Sequence, residues 1–199
     1  MVRQKVEVRR EEILRATIRE IEARGMATVR VGDVASSLGV SSGLVFYHFA
    51  TKDGLLVEAL EYAVDRDLNR LDKARATGAN ATERLKRILS SYGPTGTASG
   101  WTLWIDAWAT AQREPSIRQA LTRLDDRWRS ALVVAIEEGV DAGEFVCSSP
   151  PDSVARIGAL LDGLSVAVLV YESVSRAELR RWVREAAAAE LGLAPTALA

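Results

Sequence analysis

The sequence has almost none of the side chains from which metal sites and disulfides are built. It contains one cysteine, Cys147, and one histidine, His48, in 199 residues. A single cysteine excludes an internal disulfide, and with one histidine it cannot form a multi-Cys/His zinc site. We therefore expect no metal and no cofactor. No cation stands near Cys147 in the sequence to activate its thiol, so we expect that residue to be inert.

The sequence also lacks a long apolar run. No segment reaches the roughly 18 apolar residues that a membrane-spanning helix requires. The amino-terminal residues MVRQKVEVRREE are charged, whereas a secretory signal would be apolar there. These two absences predict a cytoplasmic protein without a membrane partner.

The net charge of −1 argues against a nucleic-acid partner until its distribution is considered. Residues 1–54 hold nine Lys/Arg and seven Asp/Glu, a net of +2, which leaves −3 for the remainder. The asymmetry is modest, but it has the sign that a nucleic-acid-binding segment requires.

Almost every segment has the apolar spacing of an α-helix, and no run alternates as a strand would. We predict an all-α fold of about nine helices, with a small amino-terminal unit over residues 1–54 and a larger helical unit over residues 55–199. The predicted helices cover residues 11–24, 31–38, 41–49, 52–76, 81–92, 101–113, 115–142, 154–170 and 175–191.

Residues 31–52 predict two short helices joined by a sharp turn. Val31, Val34, Ala35 and Leu38 form one apolar stripe, and Gly39 stands where that helix must end. The next helix can begin at Ser41 or Ser42, whose hydroxyls can accept from its free amides. This is the shape that places a helix in the major groove of DNA.

The second short helix has two different faces. Val45 and Phe49 share one face and are expected to anchor the helix in a core. The opposite face carries a glycine that permits close approach, together with Leu, Tyr and His. Such a face suits thymine methyl groups and phosphate oxygens. Its members are Gly43, Leu44, Tyr47 and His48.

The run Phe46–Tyr47–His48–Phe49, followed by Lys52, resembles the helix-turn-helix of TetR-family transcriptional regulators, with a match over residues 8–67. Phe46 stands where the family often has a phosphate-binding tyrosine, so Tyr47 is expected to supply the hydroxyl. Arg30 stands near the family's usual capping threonine and could contact phosphate. The resemblance implies that the following residues contact DNA: Arg30, Ser41, Ser42, Gly43, Leu44, Tyr47, His48 and Lys52.

Three tryptophans, Trp101, Trp104 and Trp108, lie on one stripe of a predicted helix. They form either packed core or the wall of a ligand cavity. Asp106 and Asp162 interrupt apolar helices, and a carboxylate beside indole rings suits a cationic ligand. The expected ligand-binding residues are Tyr92, Trp101, Trp104, Asp106, Trp108 and Asp162.

The apolar segment 155–171 and the last helix are both suited to a subunit interface. In the family, the last two long helices form a four-helix dimer interface. The resemblance therefore implies a homodimer bound to a palindromic operator. It also implies that residues 1–54 are a helix-turn-helix DNA-binding domain, with the motif at residues 30–49, and that residues 55–199 are a helical regulatory, ligand-binding and dimerisation domain. The expected dimerisation residues are Leu161, Leu164, Val168, Leu179, Trp182 and Val183.

Together these features predict a ligand-responsive, sequence-specific DNA-binding regulator, a repressor that a small molecule releases from double-stranded DNA. The main alternative is a constitutive helix-turn-helix protein whose interior is filled. A helical enzyme is disfavoured because the chain lacks paired catalytic groups.

Overall fold

The computed structural model describes residues 2–91 and 100–199, with side chains for residues 7–90 and 100–199. Over these ranges the chain forms nine α-helices and no strand, which confirms the predicted all-α fold. The helices are α1 (Val2–Arg24), α2 (Val31–Ser37), α3 (Ser42–Phe49), α4 (Lys52–Thr77), α5 (Ala81–Ser91), α6 (Gly100–Ala111), α7 (Pro115–Asp141), α8 (Pro150–Leu169) and α9 (Arg176–Glu190).

The chain divides into two compact units. The first unit comprises Met1–Arg66 and Thr102–Leu124, and the second comprises Asp67–Trp101 and Asp125–Ala199. Most of α6 and the first part of α7 therefore group with the amino-terminal helices. The functional boundary between residues 54 and 55 stays a prediction.

In the first unit the apolar stripes predicted from the sequence form the core. Val34 of α2 and Val45 of α3 are each 1% exposed, and Ile13 of α1 is fully buried. Between α2 and α3, Gly39 has φ +65°, a left-handed conformation that glycine adopts without the strain of a side chain. The turn therefore has the sharpness that the sequence predicts.

In the second unit α8 packs against α9, and local hydrogen bonds fix where the helices begin. The Ser175 hydroxyl accepts from the Glu178 N–H (3.2 Å), and the Glu178 carboxylate accepts from the Ser175 N–H (2.9 Å). This reciprocal pair is a capping box at the start of α9, and its Ser-x-x-Glu pattern is visible in the sequence. At the start of α5, the Asn80 side chain accepts from the Glu83 N–H at 2.8 Å, as its sequence also indicates.

Two helices begin earlier than predicted. Helix α1 starts at Val2 rather than Glu11, and its charged residues pair along the helix, as Arg9 does with Glu12 at 2.8 Å. Helix α8 starts at Pro150 rather than Val154, because proline fits the first helical turn, where no amide is needed. No helix within residues 2–91 and 100–199 is long and apolar enough to cross a membrane.

Gly139 of α7 tests how tightly the second unit is packed. A Cβ atom there would lie 2.1 Å from two ring carbons of Phe145, which is 3% exposed. We expect Gly139→Ala to destabilise the fold by about 1–3 kcal/mol through overpacking. Gly32→Ala, in open space near the start of α2, is the matched control and should not lower Tm. Equal thermal unfolding curves by circular dichroism for both variants would contradict this packing.

Candidate nucleic-acid interface

Helix α3 is anchored on one side and open on the other. It begins with a side-chain cap, because the Ser41 hydroxyl accepts from the Leu44 N–H at 3.3 Å. Val45 is 1% and Phe49 5% exposed, whereas Tyr47 is 77% exposed. The helix therefore offers the face that the sequence predicts for DNA.

The predicted DNA-contacting residues are accessible in this geometry. Gly43 and Ser41 are exposed, and Ser42, Leu44 and His48 are half-buried at the same surface. Phe46 is 44% exposed as well, so α3 presents two neighbouring aromatic rings to solvent.

Arg30 and Lys52 flank this helix-turn-helix. Arg30 is exposed and immediately precedes α2. Its guanidinium carries only donors and cannot cap the free amides of α2. The start of the helix is held instead by the Asp33 carboxylate, which accepts from the Arg30 main-chain N–H at 3.0 Å. The Lys52 ammonium donates to the Ala27 carbonyl at 3.4 Å. A bond of that length is weak, which leaves the ammonium able to exchange it for a phosphate.

The pKa of His48 is lowered from its ordinary value, chiefly by burial and then by the positive charges of Arg10 and Arg9. The imidazole is therefore neutral at pH 7 in the free protein. It meets the ring of Tyr47 edge-on, with 5.3 Å between the centroids. A neutral His48 can still serve as a hydrogen-bond donor at the DNA surface.

Arg10 of α1 is a functional residue that the sequence reasoning missed. Its guanidinium donates to the His48 carbonyl at 2.6 Å, forms an ion pair with Glu58 of α4, and lies 4.5 Å above the centre of the Phe49 ring. It therefore joins α1 to the last turn of α3 by two contacts and to α4 by a third. Its position four residues before Leu14, on the buried stripe of α1, is the sequence signal that could have revealed it.

The predicted ligand-binding residues fall in both units. Trp104 and Trp108 are half-buried in the first unit, whereas Trp101 is 7% exposed and belongs to the second. Tyr92 lies outside the described residues. The carboxylate of Asp106 is already engaged, because it accepts the main-chain N–H of Met26.

Asp162 of α8 is a partly buried carboxyl group in the second unit. Burial, and then the negative charge of Asp125, raise its pKa to about 6, while Arg129 acts in the opposite direction. Its ionised form is therefore poorly stabilised by the protein itself.

Two open grooves lie in the second unit, and neither includes a predicted ligand-binding residue. One, of about 410 Å³, runs beside Leu68 and Ala131. The other, of about 420 Å³, is lined by Arg75, Arg84, Glu138 and their neighbours. Sequence patterns could not predict these grooves, because they form between helices that are far apart along the chain.

Half of the predicted dimerisation residues are core residues of a single chain. Leu161 is fully buried, and Leu179 and Val183 are 1% and 3% exposed. They pack α8 and α9 within one chain, so they are corrected to core positions. Leu164, Val168 and Trp182 are half-buried and remain accessible to a partner.

Helix α3 is short, capped and anchored by two apolar residues. It follows a sharp glycine turn and is open on its other face. This arrangement is that of a helix-turn-helix DNA-binding protein. A family model described as bacterial regulatory proteins of the tetR family matches residues 13–59. A second, described as the C-terminal part of BetI-type transcriptional repressors, matches residues 81–192, more than half of the chain. The chain belongs to the TetR family of transcriptional regulators.

Individual relatives agree with this assignment. The HTH-type transcriptional regulator BetI of Agrobacterium fabrum is 32% identical over 168 residues, which cover 80% of this chain and 76% of that protein. BetI of Stenotrophomonas maltophilia is 31% identical over 63% of this chain, and the match spans 65% of its own length. A transcriptional regulator from Saccharomonospora viridis, solved in complex with choline, is 32% identical with a TM-score of 0.79, covering 89% of this chain and 94% of that one.

The predicted class of function is confirmed at this level: the chain is a ligand-responsive, DNA-binding transcriptional regulator. Its relatives are regulators of transcription rather than enzymes.

Arg10→Ala removes two contacts at the end of α3 and the ion pair with Glu58 of α4. We expect operator affinity to fall about tenfold, because the recognition helix loses its fixed orientation, with a stability loss of about 1–3 kcal/mol. Arg9→Ala is the matched control, since Arg9 is the neighbouring arginine of α1 and pairs with Glu12 on the same helix. Fluorescence anisotropy with an operator duplex selected from genomic DNA measures the affinity. An Arg10→Ala variant that binds like the parent protein would contradict this role.

Asp162 predicts a dependence of stability on pH. The pKa of Asp162 in the folded protein is about 6, above the ordinary aspartate value of 3.8. Between these pH values the folded state therefore binds more protons than the unfolded state. The contribution to stability is fully present below about pH 4 and is lost as the pH rises through about 6. Asp162→Asn should abolish this loss and be more stable than the parent protein at pH 7, whereas the exposed Asp126→Asn should not. Urea unfolding between about pH 4 and 8 measures the difference, and parallel curves for Asp162→Asn and the parent would refute it.

Proposed function

We propose that this protein is a homodimeric repressor that reads a palindromic operator with α3 and leaves it when a small organic cation of the choline type binds. The observation that carries the proposal is the open face of α3, where Tyr47 is 77% exposed on a helix held by Val45 and Phe49. An aromatic residue this exposed, on the same face as Gly43, contributes little to the packing of the described residues. It is suited to contact with a groove of DNA.

The residues of this face are suited to different parts of the DNA. Leu44 is placed to meet thymine methyl groups, and Tyr47 to reach bases or phosphates through its hydroxyl. Ser42, at the amino end of α3, and Lys52, at the start of α4, are suited to phosphate oxygens. Direct base contacts would then give sequence preference, and Lys52 would give affinity that depends on salt.

A two-fold dimer follows from the need to contact two half-sites. Two recognition helices about 34–36 Å apart enter successive major grooves on one side of the duplex. The half-buried apolar side chains Leu164, Val168 and Trp182 on α8 and α9 are available for such an interface. An isologous interface uses the same patch of both subunits, so one helix pair suffices.

A cationic effector is supported by a relative and by one carboxyl group of the second unit. The Saccharomonospora viridis regulator was solved with choline. In this chain Asp162 is a carboxyl whose ionised form is destabilised by burial and by Asp125. An organic cation is the type of ligand that stabilises such a group. The effector would release DNA by binding better to a conformation that binds DNA poorly.

Operator binding tests the assignment of α3. Tyr47→Ala should lower affinity for the selected operator duplex more than for a random duplex, and Lys52→Ala should lower both and reduce the salt slope by about 1. Tyr171→Ala is the matched control, because Tyr171 is similarly exposed (73%) but lies in the second unit. If Tyr47→Ala and Tyr171→Ala bind alike, α3 does not read the operator as proposed.

A choline titration of the same complex tests the effector. We expect the apparent operator Kd to rise at least about tenfold with saturating choline, a coupling within the usual range. The neutral isostere 3,3-dimethylbutan-1-ol, which keeps the shape without the charge, should have no effect. An operator Kd that choline leaves unchanged would overturn this effector class.

A further inference from the structure

Helix α6 contacts the turn between α1 and α2 through the carboxylate of Asp106. Asp106 accepts the main-chain N–H of Met26, a residue 80 positions earlier in the sequence, and Met26 is fully buried. The neighbouring Gly25 ends α1 in a left-handed conformation (φ +87°), which turns the chain so that the Met26 N–H meets this carboxylate. All three residues belong to the first unit.

The turn that Asp106 holds determines where α2 begins. Within it, the amides of Thr28 and Val29 both bond to the Gly25 carbonyl, at 3.2 and 3.1 Å. The turn is therefore a closed unit, and a shift of Met26 moves the start of α2. Helix α2 in turn packs against α3, the recognition helix.

The contact is well suited to transmit a change. A hydrogen bond between a carboxylate and a main-chain amide is charge-assisted and about twice as strong as a bond between neutral groups, so its loss is a large change at one point of the backbone. It joins α6, which carries the half-buried Trp104 and Trp108, to the main chain rather than to a mobile side chain. Any displacement of α6 is thus imposed directly on the backbone in front of the helix-turn-helix.

We propose that Asp106 is the positioning residue through which α6 and the recognition helix influence each other. When the Asp106–Met26 bond is formed, α2 and α3 keep the placement seen here, and when it is broken they lose it. This inference rests on the proposed function for the direction of the response, which is release of the operator.

Coupling is reciprocal, so operator binding must also change α6. Hydrogen–deuterium exchange of peptides covering residues 101–111, with and without saturating operator duplex, measures this without any effector. We expect the exchange of α6 to change on DNA binding in the parent protein and in Asp106→Asn, whose amide oxygen can still accept from Met26. In Asp106→Ala the change should be lost although the duplex is bound. Thr102→Ala, at an exposed position of the same helix, should behave like the parent.

Two outcomes would overturn the inference: no change in α6 of the parent protein, or an undiminished change in Asp106→Ala. A merely structural role would lower Tm in Asp106→Ala but leave the change in α6 intact. If the alanine variant does not fold, Asp106→Leu, which has the same branched shape without an acceptor, replaces it.

A choline titration separates this inference from the effector class. In Asp106→Ala, the choline-induced rise in operator Kd should shrink at least about fivefold relative to the parent, while choline binding itself, followed by calorimetry, persists. A full response in Asp106→Ala would contradict the role of Asp106. Failure of choline to release the parent protein would overturn only the effector class, because the exchange experiment decides the role of Asp106 independently.

Discussion

The recognition helix depends on the contacts that hold it. Helix α3 has only eight residues, and isolated helices of fewer than about 12 residues are marginal in water. Its stability therefore comes from Val45 and Phe49 in the core, the Ser41 cap at its start and Arg10 at its end. Each contact also fixes the direction of the helix. The contacts that stabilise α3 consequently also set the direction in which its open face points.

Two side chains from distant helices act on the ends of the helix-turn-helix in the first unit. Arg10 donates to the last turn of α3, and Asp106 accepts from the turn before α2. Both bond to main-chain atoms, so they constrain the backbone directly. A helix-turn-helix held in this way can be stable while its geometry responds to the loss of one contact.

Local features were predictable from the sequence, and features that join distant residues were not. The Gly39 turn, the Ser41 cap and the Ser175–Glu178 capping box each arise from residues within a few positions of one another. Arg10 and Asp106 act over 38 and 80 positions, and helical periodicity can indicate that Arg10 lies on the buried side of α1 but not which residues it contacts. Three of the predicted dimerisation residues lie in the core for a related reason. An apolar stripe does not reveal whether it packs against the same chain, as Leu161 does, or against a second copy.

The division of α3 into a buried and an open face has a consequence for how such regulators diversify. Gly43 and Tyr47 are exposed, so substitutions there remove little packing. Most substitutions in a protein core are eliminated because they cross a stability threshold, but these positions are largely exempt from that filter. After gene duplication, the two copies could therefore drift toward different target sequences while both continue to fold.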